Sequence, residues 1–473
     1  MNPSQQIAES ANAHLIAPAG CGKTHLIAEA VAKHNSGREL VLTHTHAGVD
    51  SVRRKLKKLG ARTATVHVDT IAGWALTYVS AFPATTGMGA EATTNPDWSK
   101  VYKAATSLVS RSAIAKVLLA SYSGVYVDEY QDCTVEQHEL IRVLSQLIPC
   151  RLLGDPLQGI FEFKNNPVID WDLHVAGEFP ALPSLSTPWR WKDTCPELGT
   201  WLITVRRLIE SGNPIDLKQA PQSAVRWVRL PDDKTYQSNT QRDVCHRAPT
   251  DGGTILAVLQ WENQCNNLVR SLAPMFHNIE TIECDDLKTF AVGVDSSAGV
   301  DRLSLLEQFG MECFSGFQAE MKTVFIAARK GEWVKTRPLK HQRVLDALRV
   351  ALGDGTSSSI CLFLESLTAV DAIKLWRKEL FNAMRQALRE HSAGDVQTLA
   401  EAVSLTRNRT RHIGRRLPLR VISRTLLVKG LEFDHCLILD ADALRSKDLY
   451  VAMTRPMKSL TILSRERVLR PVR

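Results

Sequence analysis

The chain has 473 residues, 44% hydrophobic and 23% charged, which excludes a disordered, fibrous or disulfide-scaffold polypeptide. Its length asks for two to four domains, since one hydrophobic core does not grow that large. The net charge of +8 suits a polyanionic partner without demanding one.

In chain order, HLIAP, ELVLTH, ATVHV, GVYVDE and CRLLGD are short apolar runs within the first 160 residues, with helical periodicity between most of them. That alternation predicts an α/β fold with a parallel sheet covered by helices. The rhythm breaks over about 77–122, where FPATTGMGAEATTNPDW predicts a loop-rich insertion. After Pro188, SAVRWVRL and TILAVLQW begin a second alternating region. From about Asp285 to Leu417 helical patterns dominate, as in HQRVLDALRVAL and WRKELFNAMRQALREH. Strand character returns in LRVISRTL, HCLILDAD and SLTILS. The expected domains are therefore 1–185, with the insertion at about 77–122, and 186–285 joined to 418–473 around a helical insertion at 286–417.

No run is long and apolar enough for a membrane span, and MNPSQQIAES lacks the basic and apolar regions of a signal peptide. The ten cysteines are scattered, without the paired spacings of a zinc site. A reduced cytoplasmic protein with no membrane partner is the expectation. Charge is uneven: RRKLKK at 53–58 and the acid-free stretch Ala402–Leu431, with Arg407, Arg409, Arg411, Arg415, Arg416, Arg420, Arg424 and Lys429, are basic. Each reads equally as a solvated face or as a nucleic-acid contact.

APAGCGKT, Ala17 to Thr24, follows a strand run and opens the helical run THLIAEAVAKH, the context in which such a loop holds phosphates. Its backbone N–H groups and the helix N-terminus cradle phosphate. Lys23 is expected to neutralise the β- and γ-phosphates of ATP and Thr24 to ligate Mg²⁺. Ala17, Gly20, Cys21, Gly22 and His25 complete the expected nucleotide contacts. A triphosphatase also needs a carboxylate for the magnesium shell and a group that activates water. GVYVDEYQD delivers Asp128 for the first and Glu129 for the second at a strand end. In GDPLQGIFEF, Asp155 and Gln158 are polar groups at the next strand end and can sense the γ-phosphate. Phe161 and Phe163, two apart, face the same way on an extended segment or belong to the core.

These runs, taken together and in order, resemble the UvrD/Rep/PcrA group of superfamily 1 helicases. NPSQQIA is similar to the group's glutamine motif, which implies that Gln5 reads adenine. APAGCGKT, VLTHTHAGVDSVRRKL, VYVDEYQD and GDPLQGIFEF resemble its next motifs, and HVDTIAGWAL another more loosely. They imply strand contacts from Thr43, from Thr70 or His67, and from Phe161 and Phe163, with Gln158 on the γ-phosphate. TPWRW resembles the arginine motif, placing Trp189 on adenine and Arg190 near the γ-phosphate. RTLLVKGLEFDH and LYVAMTRPMKSL resemble the last motifs, implying a nucleotide role for Glu432 near Gly430 and an arginine finger at Arg455. Departures are Pro18 for a glycine, His44 for an aromatic, Ala47 for a lysine and Leu426 for a histidine.

The resemblance implies two RecA-like domains, with ATP joining Lys23 and Thr24 on one to Arg190 and Arg455 on the other. It also implies 3′→5′ movement on single-stranded DNA. Relative to that group both insertions are small, and no acidic cluster suggests an attached nuclease. Two further expectations stand beside the motor. One is a DNA-end-sensing ATPase that regulates a separate nuclease subunit, as in Gabija-type antiphage defence. The other is a nucleotide-gated binding subunit that does not unwind.

Overall fold

The structure, a computed structural model, describes residues 2–34, 37–88, 96–161, 166–279, 285–333, 339–394, 396–413 and 417–472. Of residues 63, 408 and 410–413 it describes the backbone alone. The chain divides into two compact units: Met1–Arg226 with Leu444–Ser459 and Arg467–Arg473, and Trp227–Ala443 with Leu460–Glu466.

The first unit is built on five strands, β1 (Ala13–Ile16), β2 (Glu39–Thr43), β3 (Val66–Thr70), β4 (Gly124–Val127) and β5 (Cys150–Gly154). They lie in the order β1-β5-β4-β2-β3, all parallel. β2, β4 and β5 are buried along their whole length, which is why they read as unbroken apolar runs rather than alternating ones. Because every strand runs the same way, the residues after Ile16, Thr43, Thr70, Val127 and Gly154 gather along one edge. β5 lies between the strand of the phosphate loop and the strand of the acidic pair. This ordering sets Asp155 between them.

Helices α1 (Pro3–Glu9), α2 (Lys23–Lys33), α3 (His46–Lys58) and α4 (Ile71–Ala81) flank the sheet's first three strands in the chain. Among the described residues, the segment expected to be loop-rich contains a single helical turn, Pro83–Thr86, and two longer helices, α5 (Trp98–Val109) and α6 (Ser112–Ser121). Asp97 caps α5 by accepting from the Lys100 N–H at 3.3 Å, and Val101, Tyr102, Ala105, Leu108 and Val109 form its buried stripe. The turn residues of FPATTGMGAEATTNPDW outweighed this periodicity in the sequence; of that stretch, 89–95 lie outside the described residues. Helices α7 (Val135–Leu144) and α8 (Pro196–Glu210) follow. The sequence boundary at 185/186 falls inside this unit.

The second unit holds most of a six-stranded sheet. In that sheet Ile255–Val258 pairs in parallel with Arg420–Ser423 on one side and Phe433–Ile438 on the other. Both fold expectations, α/β with two largely parallel sheets and a helical stretch between strand segments, describe the chain. Between Asp285 and Ile413 lie seven helices among the described residues, with a core of their own around Phe309, Phe325, Phe363 and Phe381. No described helix is long and apolar enough to cross a membrane. The nine described cysteines are free thiols.

Candidate nucleotide-binding site

The loop after β1 turns through two left-handed glycines, Gly20 (φ 74°) and Gly22 (φ 86°), before Lys23 starts α2. Each is also closely covered. A Cβ on Gly20 would stand 2.5 Å from the Trp191 ring, and one on Gly22 would stand 3.2 Å from Trp189. The WRW segment thus packs directly on the loop, and the Arg190 N–H donates to the Gly20 carbonyl at 3.1 Å. Trp191 is buried and donates its indole N–H to the Pro456 carbonyl at 2.6 Å. Trp189 stays 55% exposed, an open aromatic face beside the loop.

Lys23 is buried, its ammonium 3.4 Å from the Ala17 carbonyl and 3.5 Å from the Glu129 carboxylate. Burial opposes the charge, but Glu129, Asp155 and Asp128 together outweigh it, so the Lys23 pKa is raised. The Thr24 hydroxyl donates to Asp128 at 2.9 Å. Burial, reinforced by the neighbouring Glu129 charge, pushes the Asp128 carboxyl up to about 6. Burial and the Asp155 charge likewise push the Cys21 thiol up to about 11, so it is an inert loop residue rather than a nucleophile. Glu129 adopts φ 56°, the sole positive φ among the described non-glycine residues. Strain of that kind, which costs about 1–3 kcal/mol, concentrates at functional sites.

Thr24 and Asp128 offer two hard oxygens side by side at the phosphate loop, which fits Mg²⁺, an ion that keeps waters and phosphate oxygens as its remaining ligands. Among the described residues no group of three or more His, Cys, Asp or Glu forms a self-sufficient metal cage.

From the acidic pair a run of hydrogen bonds crosses the strand ends. Gln131 donates to Glu129 at 2.6 Å and accepts from the Asp155 N–H at 2.9 Å. Gln158 donates to Asp155 at 2.8 Å, and its carbonyl oxygen accepts from Arg455 at 3.3 Å. Arg455 is buried and anchored by its own helix end, donating to the Val451 carbonyl at 2.8 Å. Arg190 donates to the Thr454 carbonyl at 2.6 Å, one residue away from Arg455. Lys23, Glu129, Gln158, Arg190 and Arg455 all lie in the first unit, whereas the expectation divided Arg190 and Arg455 from Lys23 onto a second domain.

Gln5 bonds to Glu9 at 2.8 Å on α1, and His25 is exposed on α2. Glu432 belongs to the second unit, exposed just before the strand Phe433–Ile438. Thr43 and Thr70 are register partners at the ends of β2 and β3, both buried, and Thr70 caps α4 by accepting from Gly73 at 2.9 Å. Trp74 is wholly buried against Tyr78, which makes it a packing residue. His67 bonds to the Tyr122 hydroxyl at 2.7 Å. Phe161 is half-buried, and Phe163 lies outside the described residues. On α3, Arg53, Arg54, Lys57 and Lys58 are exposed. In the second basic stretch, Arg424 pairs with Glu262 at 3.1 Å and Arg409 pairs with Glu390.

Four participants were not singled out in the sequence: Gln131, Trp191, Arg206 and Tyr450. Arg206 carried a readable signal. On α8 the buried positions Leu198, Leu202, Val205 and Ile209 form one stripe, and Arg206 lies on it, four residues after Leu202.

Residues 3–164 match the family described as AAA domain (AAA_19). No curated protein matches the chain. Among solved structures it is similar to the complex of Arterivirus nonstructural protein 10 (helicase) with DNA, at 11% identity and a TM-score of 0.37. It is similar to the crystal structure of the same arterivirus protein at 12% identity and a TM-score of 0.36. The similarity spans 98% of this chain but 63% and 61% of those chains, under two thirds of either. Likeness at such TM-scores does not fix an activity. The loop, the acidic pair and the AAA match support a P-loop nucleotide site and an NTPase.

Proposed function

We propose that the chain is an ATP-driven motor of the UvrD-like helicase type that moves on single-stranded DNA, in the 3′→5′ sense that its motifs imply. The observation that carries the reading is the continuous polar connection from Lys23 and Thr24 through Asp128, Glu129, Gln131, Asp155 and Gln158 to Arg455. A structural turn has no use for such a set, whereas phosphoryl transfer needs each member.

Lys23 is paired with Glu129. The β- and γ-phosphates of ATP compete for Lys23, which releases the Glu129 carboxylate to accept a proton from the attacking water. Thr24 and Asp128 would hold Mg²⁺, which would supply charge that neutralises the phosphate oxygens. Gln158 and Arg455 bond to one another and so sense the same γ-phosphate as a unit. Trp189 offers its exposed face to the adenine. Strand contact rests on the cations of α3 and on Phe161.

Glu129→Gln keeps the shape and removes the base. It should retain ATP binding while losing turnover by about 10²-fold or more. Normal turnover in that variant would sink the catalytic assignment.

A second reading, an ATPase that senses DNA and regulates a separate nuclease, is favoured by one observation. Lys23, Thr24, Asp128, Glu129, Gln158 and Arg455 are joined by polar contacts, whereas Thr43 and Thr70, expected on the strand, are buried. Strand separation on a tailed duplex divides the two readings: a motor separates it unaided, and a regulator hydrolyses ATP without separating it.

A further inference from the structure

Asp155 is wholly buried, and a carboxylate without water must draw all its donors from the protein. It draws them from four places. Its own loop gives the Leu157 N–H at 3.3 Å and the Gln158 amide at 2.8 Å. The phosphate loop gives the Ala19 N–H at 3.1 Å. Helix α8 gives the Arg206 guanidinium, itself buried. The helix Ser446–Met453 gives the Tyr450 hydroxyl at 3.3 Å. The donors also engage each other: Ala19 and Arg206 both reach the Tyr450 oxygen, at 3.2 and 3.3 Å.

What makes this cluster more than core packing is where its arms end. Ala19 belongs to the loop that would wrap phosphate, and Gln158 holds Arg455. Tyr450 and Arg455 share one helix end, since the Tyr450 carbonyl accepts from the Thr454 N–H at 3.1 Å and Arg455 bonds to Val451. Asp155 therefore fixes the phosphate loop, the γ-phosphate sensor and the arginine finger against a single carboxylate. A displacement of about 1 Å at reacting groups costs on the order of 10²-fold in rate.

We infer that Arg206 and Tyr450, to which no role in the reaction is otherwise assigned, are positioning residues for ATP hydrolysis, acting through Asp155 to hold Ala19, Gln158 and Arg455 in one arrangement. Neither touches the nucleotide in this account. The inference rests on the ATPase reading above.

The test uses the full chain, with steady-state ATP turnover, nucleotide binding and thermal midpoint measured together. Tyr450→Phe removes one hydroxyl and keeps the ring. It should lower kcat about tenfold while KM and the thermal midpoint stay near wild type. Arg206→Met should lower kcat further, and Arg206→Lys should recover part of that loss. Combined with Gln158→Ala, Tyr450→Phe should add little, because both act on the same arrangement. If Arg206→Met does not fold, Tyr450→Phe still decides. Wild-type turnover with kcat unchanged in Tyr450→Phe, or losses that simply add with Gln158→Ala, overturns the inference. A wild-type chain that binds ATP without hydrolysing it overturns the ATPase reading itself, a separable result.

Discussion

Asp128 is the residue at which function and stability pull in opposite directions. Its carboxyl titrates at about 6 because burial and Glu129 disfavour its charge. A folded pKa above the unfolded value means that its stabilising contribution is fully present below the unfolded pKa, near 3.9. The contribution is lost as pH rises through about 6. Above that range the nucleotide-free protein carries a buried charge that suits Mg²⁺ more than it suits the fold. Asp128→Asn should then remove this pH dependence, its stability relative to the natural chain being greatest near neutral pH and falling as pH drops below 6. The same variant should lose Mg²⁺-dependent turnover. Thermal unfolding across pH, with turnover measured in parallel, checks both; a stability difference that does not change with pH contradicts the assignment.

At the scale of elements, the phosphate loop is shaped as much by what covers it as by its own glycines. Gly20 combines a left-handed backbone with a Trp191 ring that leaves no room for a methyl group. Gly20→Ala should therefore displace Trp191 or unwind the loop, lowering nucleotide affinity at least about tenfold and changing tryptophan fluorescence. Unchanged affinity would mean that the WRW segment is not seated on the loop. The strands were legible because strands buried on both faces are apolar runs bounded by breakers, as ELVLT and CRLLG are. Helices α5 and α6 were not, because the glycine, threonine and proline content before them dominated the local signal. The nucleotide site was legible where one strand end supplies it, as for Asp128 and Glu129. Arg206 stands out on the buried stripe of α8, but its pairing with Asp155 was not legible because the two are 51 residues apart in sequence.

For the molecule as a whole, two α/β units and a helical segment with its own core are laid out along one chain. Under the proposed function, single-stranded nucleic acid would act on the basic face of α3, on the same unit that holds Lys23. Because backbone cations carry that contact, its effect should weaken steeply with salt. The central claim is that ATP hydrolysis is coupled to single-stranded DNA. The most direct measurement is ATP turnover by the full chain with and without an unstructured single strand, at low and at moderate salt. The account predicts stimulation of about tenfold or more at low salt, reduced as salt rises. Turnover that is the same with and without the strand would contradict it.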